Sequence, residues 1–315
     1  RLGSSSFGNN SASLEAILLT LGIPISSGGP EIGDEHPGCA LTTGKSLFGG
    51  SADNWYHADI ILVWGTGGPY THLANWHFIP EARYNGSKIV SINPDFNASA
   101  PFADLWIPVN IGTDAAFALS MAQVIIQEGL YDKDFVAKWC FGFEELRKRA
   151  AEYPPERVAE ITWVPKEKII EAARLFAREK PSCITIVVAI EQNADTLSTS
   201  RAIGMLSALT GNIDVPGGNL IQMPVPVGLW LNADLALTNL LTEEQHERRL
   251  GSQKYPLLSG KHSVSFPPSA VNYDVWQAIL TGKPYAIRAM YCQGSNMVQA
   301  YANSCPHANS YATGY

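Results

Sequence analysis

Apolar positions along the chain fall into two rhythms. Continuous apolar runs at 58–65 (ADIILVWG), 88–95 (KIVSINPD) and 183–190 (CITIVVAI) predict strands buried on both faces. Between them a helical period recurs at 112–130 (GTDAAFALSMAQVIIQEGL), 165–180 (PKEKIIEAARLFAREK) and 195–212 (DTLSTSRAIGMLSALTGN). The first of these helices is entered through Thr113 and Asp114, either of which can cap its N-terminus. After the first strand, TGGPYTHLANWHFIPEARYNG predicts a glycine-rich turn and then a helix ending near Gly86; Gly211 likewise stops the third periodic helix. A helix is also expected at 13–22 (SLEAILLTLG) and a last strand at 285–296 (YAIRAMYCQGSN). From Val215 to about Ala270 the rhythm is lost: VPGGNLIQMPVPVGLWLN is rich in glycine and proline, and TEEQHERRLGSQ reads as a solvated insertion. Alternating strands and helices predict an α/β fold with a parallel sheet covered on both faces, its first two strands closing a right-handed βαβ unit.

Composition narrows the class. With 46% hydrophobic and 16% charged residues the chain reads as globular, not disordered. A net charge of −7 without a basic run sets nucleic-acid partners aside. No apolar window reaches the roughly 18 residues of a membrane span, and RLGSSSFGNN lacks the regions of a signal peptide. Five dispersed cysteines with no CxxC pair give no zinc or four-cysteine iron–sulfur signature, and the odd number argues against a disulfide framework. A start without methionine and an end, SCPHANSYATGY, without a closing element are expected of a fragment of a longer chain.

Candidate chemistry lies in two places. The stretch GPEIGDEHPGCALTTGK sets Glu31, Asp34 and Glu35 beside His36 and Cys39, as either a surface loop or a ligand-bearing one. Four turns adjoin strand ends, at Gly65–Pro69, Asn93–Asp95, Glu191–Asn193 and Gln293–Asn296. In open α/β sheets ligands bind at such ends, where helix starts offer backbone donors to phosphate. GTGGP is not GxGxxG, and the fold itself needs tight turns there. Gly112 permits close backbone approach, with a hydroxyl and a carboxylate following at Thr113 and Asp114; plain capping would use the same residues.

The blocks ADIILVWGTGG, RYNGSKIVSINPDFNASAPFADLWIPVNIGTDAAFALSMAQVIIQEGLYDKDFV, LTGNIDVPGGN and MYCQGSN resemble, in order and spacing, the catalytic subunit of the molybdopterin oxidoreductases, the dimethyl sulfoxide reductase family. The resemblance covers nearly the whole chain. It implies Rossmann-like parallel sheets of the molybdopterin oxidoreductase fold in a partial chain. Residues 1–56 would belong to the first pterin-binding domain and carry the metal-ligand loop, 57–215 would form the Rossmann-like α/β domain, and 216–315 would return to the pterin-binding domain with an irregular insertion. Asp34, Pro37, Thr42 and Gly44, leading into SADNWYHADIILVWG, are similar to the branch of nitrate, selenate, chlorate and perchlorate reductases, dimethyl sulfide dehydrogenase and ethylbenzene dehydrogenase. That branch ligates its metal through aspartate, so the resemblance implies Asp34 as the metal ligand; Cys39 stands five positions late. A hard carboxylate suits a high-valent metal whose sulfur ligands come from the cofactor.

The implied cofactor is molybdenum or tungsten held by bis(molybdopterin guanine dinucleotide). A 4Fe-4S cluster would belong to the full-length chain and not to this segment. Carried over residue by residue, cofactor contacts fall on Trp64, Gly65 and Gly67, on Asn93 and Asp95, on Gly112 and Asp114, and on Gln192, Gly294 and Asn296. Gly28, Gly29 and Pro30 stand where nitrate and perchlorate reductases have aromatic side chains, which favours a bulkier or less polar substrate unless a ring such as Phe48 fills the gap. Lys261, beside His262, matches in distance along the chain a lysine of the hydrocarbon-oxidising members, although a lone lysine in a polar loop is ordinarily solvated. His36 would carry protons near the metal or face solvent. The expected function is two-electron oxygen-atom transfer or hydroxylation of a hydrocarbon-like small molecule. Reduction of an oxyanion, dimethyl sulfide oxidation and a non-catalytic pterin-domain scaffold stand as alternatives. Expected partners are an iron–sulfur electron-transfer beta subunit and a haem-containing gamma subunit, with no nucleic acid and no direct membrane span. The expected compartment is the periplasm, with the cytoplasmic face of the membrane as the alternative.

Overall fold

A computed structural model describes residues 35–45, 48–186, 188–191, 193, 195–221, 241–262 and 270–290. The chain divides into two compact units, Gly33–Met223 and a second formed by Arg1–Ile32 with Pro224–Tyr315.

The larger unit opens with helix α1 (Glu35–Thr43) and the short strand β1 (Phe48–Gly49). Strand β2 (Ile60–Trp64) follows, then α2 (Gly68–Thr71), α3 (Leu73–Trp76) and α4 (Phe78–Tyr84), and β3 (Lys88–Ile92). Next come β4 (Leu105–Ile107), α5 (Asp114–Gln127), α6 (Lys133–Trp139), α7 (Phe143–Ala151), α8 (Pro155–Thr162) and α9 (Lys166–Arg178). The unit closes with β5 (Ser182–Ile186), α10 (Val188–Glu191), α11 (Thr196–Leu209) and β6 (Leu220–Ile221), which pairs antiparallel with β1.

The main sheet runs β4-β3-β2-β5, all parallel, with Leu62 opposite both Val90 and Ile184. Alternation along β2 divides the interior into two layers. Ile60, Leu62 and Trp64 join Phe117 and Met121 of α5, Phe176 of α9 and Leu206 of α11; Ile61 and Val63 join Ile79 and Ala82 of α4. Each fully buried side chain of this size stabilises the fold by about 1.5–3 kcal/mol, so the doubly covered β2 fixes the register of its neighbours.

Several elements differ from the sequence expectation for identifiable reasons. The helix expected up to Gly86 arrives as three pieces, interrupted at His72 and His77; at the second interruption Pro80 has no N–H to bond back across the turn preceding α4. The strand expected to run to Ile190 stops at Ile186, opposite Trp64, where its neighbour β2 also ends. Neither expected side-chain cap forms on α5: Thr113 occupies the cap position but donates its hydroxyl to the Asn110 carbonyl, 2.7 Å away. The sequence pattern missed α6, α7 and α8. Asp132 was the available signal for the first, since its carboxylate accepts the Phe135 N–H at 2.9 Å.

β5 is an outer strand of the main sheet, and an asparagine stands in for the missing neighbour. Asn219 accepts the Ile184 N–H at 2.9 Å and donates to the Ile184 carbonyl at 2.7 Å, while Asn212 accepts the Ser182 N–H at 3.1 Å. Nearby, Asn54 accepts from the Gly217 N–H and donates to the Gly218 carbonyl, tying the turn before β6 to the segment before β2.

In the second unit the described residues form α12 (Glu243–Arg248), α13 (Pro256–Ser259) and α14 (Asn272–Thr281). TEEQHERRLGSQ is thus not wholly solvated. Thr242 and Gln245 form a reciprocal cap on α12, His246 and Arg249 are buried, and Leu250 packs with Ala270, Val275 and Ala278. Residues 285–290 of the expected last strand lie outside any strand, while 291–296, the expected helix at 13–22 and residues 222–232 lie outside the described residues. Among the described residues, no helix is long and apolar enough to cross a membrane.

The edge arrangement gives a first test. Asn219→Ala strands the buried N–H and C=O of Ile184, and chemical denaturation should show a loss of about 3 kcal/mol. A loss comparable to that of an exposed polar substitution would contradict the assignment.

Candidate cofactor site

Strand order places the site. β2 lies between β3, which follows it in sequence, and β5, which arrives from the other direction, so the order reverses at β2. Crevices for ligands open at the carboxyl ends of such strands.

At the end of β2, Gly65 takes φ 66° and donates its N–H to the Ile92 carbonyl at 2.9 Å, turning the chain sharply out of the sheet. Thr66 follows and is only 5% exposed, yet its hydroxyl has no hydrogen-bond partner among the described residues. The Thr66 carbonyl, by contrast, is held by Ser99 Oγ at 3.1 Å and by Asn97 Nδ2 at 3.5 Å. A small pocket surrounds Thr66, lined also by Trp55, Val63, His72, Trp76 and Thr185. Gly68 must lack a side chain, since a Cβ there would sit 2.1 Å from the Trp76 ring.

The other turns are arranged differently. Asn93 is buried in the frame: its amide donates to Ser91 Oγ at 2.9 Å and its carbonyl accepts from Trp106 Nε1 at 3.1 Å. Asp95 is exposed, with Asn97 Nδ2 at 3.4 Å. Gly112 takes φ 80°, and neither it nor Gly67 has any atom within 4 Å of where a Cβ would stand. The N–H groups of Gly67 and Gly112 donate to no protein carbonyl among the described residues.

Trp64 and Asp114 are joined. The indole Nε1–H donates to Asp114 Oδ1 at 2.7 Å, and the indole stands edge-on to Phe117, centroids 5.5 Å apart. Trp64, expected as a cofactor contact, is fully buried, and its indole holds Asp114 at the start of α5. Burial pushes the Asp114 carboxyl up, with the hydrogen bonds from Trp64 and from its own backbone N–H opposing the rise.

The remaining candidates fall elsewhere. Asp34, Gln192, Gly294 and Asn296 lie outside the described residues, and of His36 only the backbone, in α1, is described. Lys261 belongs to the second unit, where it is exposed and donates to Glu243; that bond holds the Glu243 carboxyl below its ordinary range. Among the described residues no three metal-ligating side chains gather. The pattern missed Thr66, Asn97 and Ser99. The Asn97-x-Ser99 spacing was a readable signal, since Asn97 Oδ1 accepts the Ser99 N–H at 2.9 Å as asparagine does in such turns.

An unpaired hydroxyl and an open backbone N–H at Thr66 and Gly67, at the end of β2, are donors of the kind that phosphate and ribose oxygens accept from, and Gly112 offers another open N–H before α5. The donors present are compatible in chemistry with a phosphate-bearing cofactor.

Asp114 yields a prediction in pH. Its folded pKa is raised above the ordinary 3.8, so the native state holds its proton more tightly and the contribution to stability is lost as pH rises through the folded value. Asp114→Asn has no such loss. Its stability relative to the parent should climb from pH 4 upward, by at most about 1.4 kcal/mol per pH unit, as read from denaturation midpoints. A pH-independent difference would refute the raised carboxyl.

The family described as Molybdopterin oxidoreductase matches residues 30–305. Acetylene hydratase of Syntrophotalea acetylenica is 33% identical over 287 residues, 84% of this chain and 36% of that protein. Formate dehydrogenase H of Escherichia coli is 32% identical over 266 residues, 81% of this chain and 37% of that protein. Perchlorate reductase subunit alpha of Dechloromonas aromatica is 28% identical over 296 residues, 63% of this chain and 32% of that protein. The solved acetylene hydratase from Pelobacter acetylenicus superposes with a TM-score of 0.86 at 28% identity, over 98% of this chain and 44% of that one. The chain thus spans about a third of the length of these curated relatives. With its α/β architecture and these matches, the chain belongs to the molybdopterin oxidoreductase family.

Proposed function

We propose that this chain is the central, cofactor-holding part of the catalytic subunit of a molybdenum or tungsten enzyme that acts on a small hydrocarbon-like substrate. The observation that carries the reading is the turn at the reversal of strand order, where the buried Thr66 hydroxyl is unpaired and the Gly67 N–H is open. Thr66, Gly65, Gly67, Gly112 and the exposed Asp95 would hold the dinucleotide arm of the bis(molybdopterin guanine dinucleotide), with Asp114 kept in place by Trp64. Asp34 would supply the hard oxygen ligand. When bound, the metal centre supplies two-electron oxygen-atom transfer or hydroxylation, and in a hydratase the activation of water. His36, two residues beyond Asp34, would move a proton at neutral pH.

The substrate class is supported by two observations. Gly28, Gly29 and Pro30 bring no aromatic ring ahead of Asp34, and the acetylene hydratase similarity is to a protein whose name specifies a hydrocarbon. Reduction of an oxyanion is the second reading, favoured by the similarity to perchlorate reductase subunit alpha; dimethyl sulfide oxidation follows from the similarity to dimethylsulfide dehydrogenase subunit alpha of Rhodovulum sulfidophilum. A non-catalytic scaffold is the remaining one. In the active readings the rest of the subunit would carry a 4Fe-4S cluster, an iron–sulfur beta subunit and a haem-containing gamma subunit would exchange electrons, and the complex would work in the periplasm.

Elemental analysis of the full-length protein should find molybdenum or tungsten together with the guanine dinucleotide. Their absence would leave the scaffold reading. Asp34→Ala should abolish turnover while the unfolding midpoint stays near the parent's, and unchanged turnover would remove Asp34 as ligand. Activity assays with alkynes and alkylbenzenes beside chlorate, selenate and nitrate separate the substrate classes, and turnover of the oxyanions alone would overturn the hydrocarbon assignment.

A further inference from the structure

Two loops leave the carboxyl end of the sheet side by side, one after β2 and one after β3, and they are fastened to each other twice. The first fastening is polar: the Thr66 carbonyl accepts from Ser99 Oγ at 3.1 Å and from Asn97 Nδ2 at 3.5 Å. The second is apolar. Trp76, the last residue of α3, lies so close to Gly68 that a Cβ there would stand 2.1 Å from Cε3, 2.5 Å from Cζ3 and 3.1 Å from Cδ2 of the indole. The same indole stands edge-on to Phe102, ring centroids 5.8 Å apart, and Phe102 ends the 3-10 turn Ala100–Phe102 that directly follows Ser99. Residues 97–102 therefore hold residues 66–68 at both ends. Trp76 has little room to yield, since its N–H donates to the His72 carbonyl at 2.8 Å and its ring packs against the core layer of Val63, Ile79 and Ala82. It also lines the small pocket around Thr66.

We propose that Gly68 and Trp76 are positioning residues: the indole seated on the glycine fixes the Gly67 N–H and the Thr66 hydroxyl relative to the loop that carries Asp95, and so sets the spacing of the groups that hold the nucleotide arm. The inference rests on the reading of this turn as part of the cofactor site. A methyl group at position 68 has to be cleared by about 1.4 Å, the gap between 2.1 Å and an ordinary carbon contact near 3.5 Å. Close-packed interiors transmit such a displacement instead of absorbing it. Gly67, next in the chain, takes the first share of it, and a shift of that size is enough to break a hydrogen bond from its N–H to a bound oxygen. Gly67 itself provides the comparison. Its φ of −95° is open to any residue, and a Cβ there meets no protein atom within 4 Å.

The test uses the full-length protein with Gly68→Ala, Trp76→Leu, the two combined, and Gly67→Ala. Guanine nucleotide and metal per chain, the rate at which the nucleotide leaves the native protein, and the unfolding midpoint are recorded for each. Gly68→Ala should release the nucleotide about tenfold faster than the parent, the change expected when one hydrogen bond is lost. Trp76→Leu should also release it faster. Adding Gly68→Ala to Trp76→Leu should change nothing further, because the ring that the methyl meets is gone. A parental release rate in Gly68→Ala overturns the inference, as does an undiminished effect of Gly68→Ala in the Trp76→Leu background. If Gly68→Ala does not accumulate as folded protein, Trp76→Leu carries the test, and a parental release rate there overturns the inference. Gly67→Ala separates the two claims, because its methyl obstructs a ligand at the turn without crowding the protein. Faster release there with parental release in Gly68→Ala removes only the positioning role, whereas parental release in Gly67→Ala removes the cofactor reading of the turn with it.

Discussion

The larger unit depends on β2 being enclosed on every side. Its edges pair with β3 and β5, and its five side chains are buried in two separate layers. Shifting the register by one residue would exchange Ile60, Leu62 and Trp64 with Ile61 and Val63, moving the large indole from the α5 layer into the smaller layer beneath α4. The alternatives are therefore excluded by volume as well as by hydrophobicity. Because β2 cannot move, the turn that leaves it at Gly65 is held against a rigid frame, and so is everything built on that turn.

Trp64 links this mechanical constraint to the electrostatics of the site. Its indole N–H gives a buried carboxylate its short hydrogen bond, and bonds to charged groups stabilise by about 1.5–3 kcal/mol. Burial of Asp114 acts in the opposite direction. The pair thus fixes the start of α5 relative to the end of β2 without leaving an isolated charge inside. A charged residue placed there without the indole would be driven toward its neutral form.

Periodicity revealed the strands and the long helices because their apolar faces are continuous: β2, β3, α5, α9 and α11 all appear within a few residues of their expected limits. It failed where structure is set by partners distant in sequence. β5 ends where β2 ends, and no local pattern in CITIVVAI encodes that. α6, α7 and α8 are short, and their polar faces diluted the signal; Asp132, Gly142 and Pro154 mark their starts more clearly than any apolar period does. At the site, the glycine turns were legible as turns. That Trp64 faces the core and Thr66 carries the unpaired hydroxyl depends on the alternation of the strand and on where Ser99 returns. The resemblance in the sequence identified the family, and the geometry adds the unpaired Thr66 hydroxyl to the turn.

The two ends of the sheet show why the unsatisfied groups are informative. At the amino ends of the strands the polar atoms find partners: the Asp59 N–H reaches the Pro181 carbonyl, Lys88 N–H reaches the Asp59 carbonyl, Ser87 Oγ reaches the Ala58 carbonyl, and Lys88 pairs with Glu179. At the carboxyl ends the same fold leaves the Thr66 hydroxyl unpaired in a buried position and two glycine N–H groups without a protein carbonyl. Other unpaired buried atoms, Ser120 Oγ, Gln123 Oε1 and Arg201 Nε, lie within α5 and α11, and a lost hydrogen bond costs about 1–3 kcal/mol for each buried group. On a frame that satisfies its polar atoms at the opposite end, the Thr66 hydroxyl is a buried unpaired group standing at the carboxyl end of a strand, where ligands of open sheets bind.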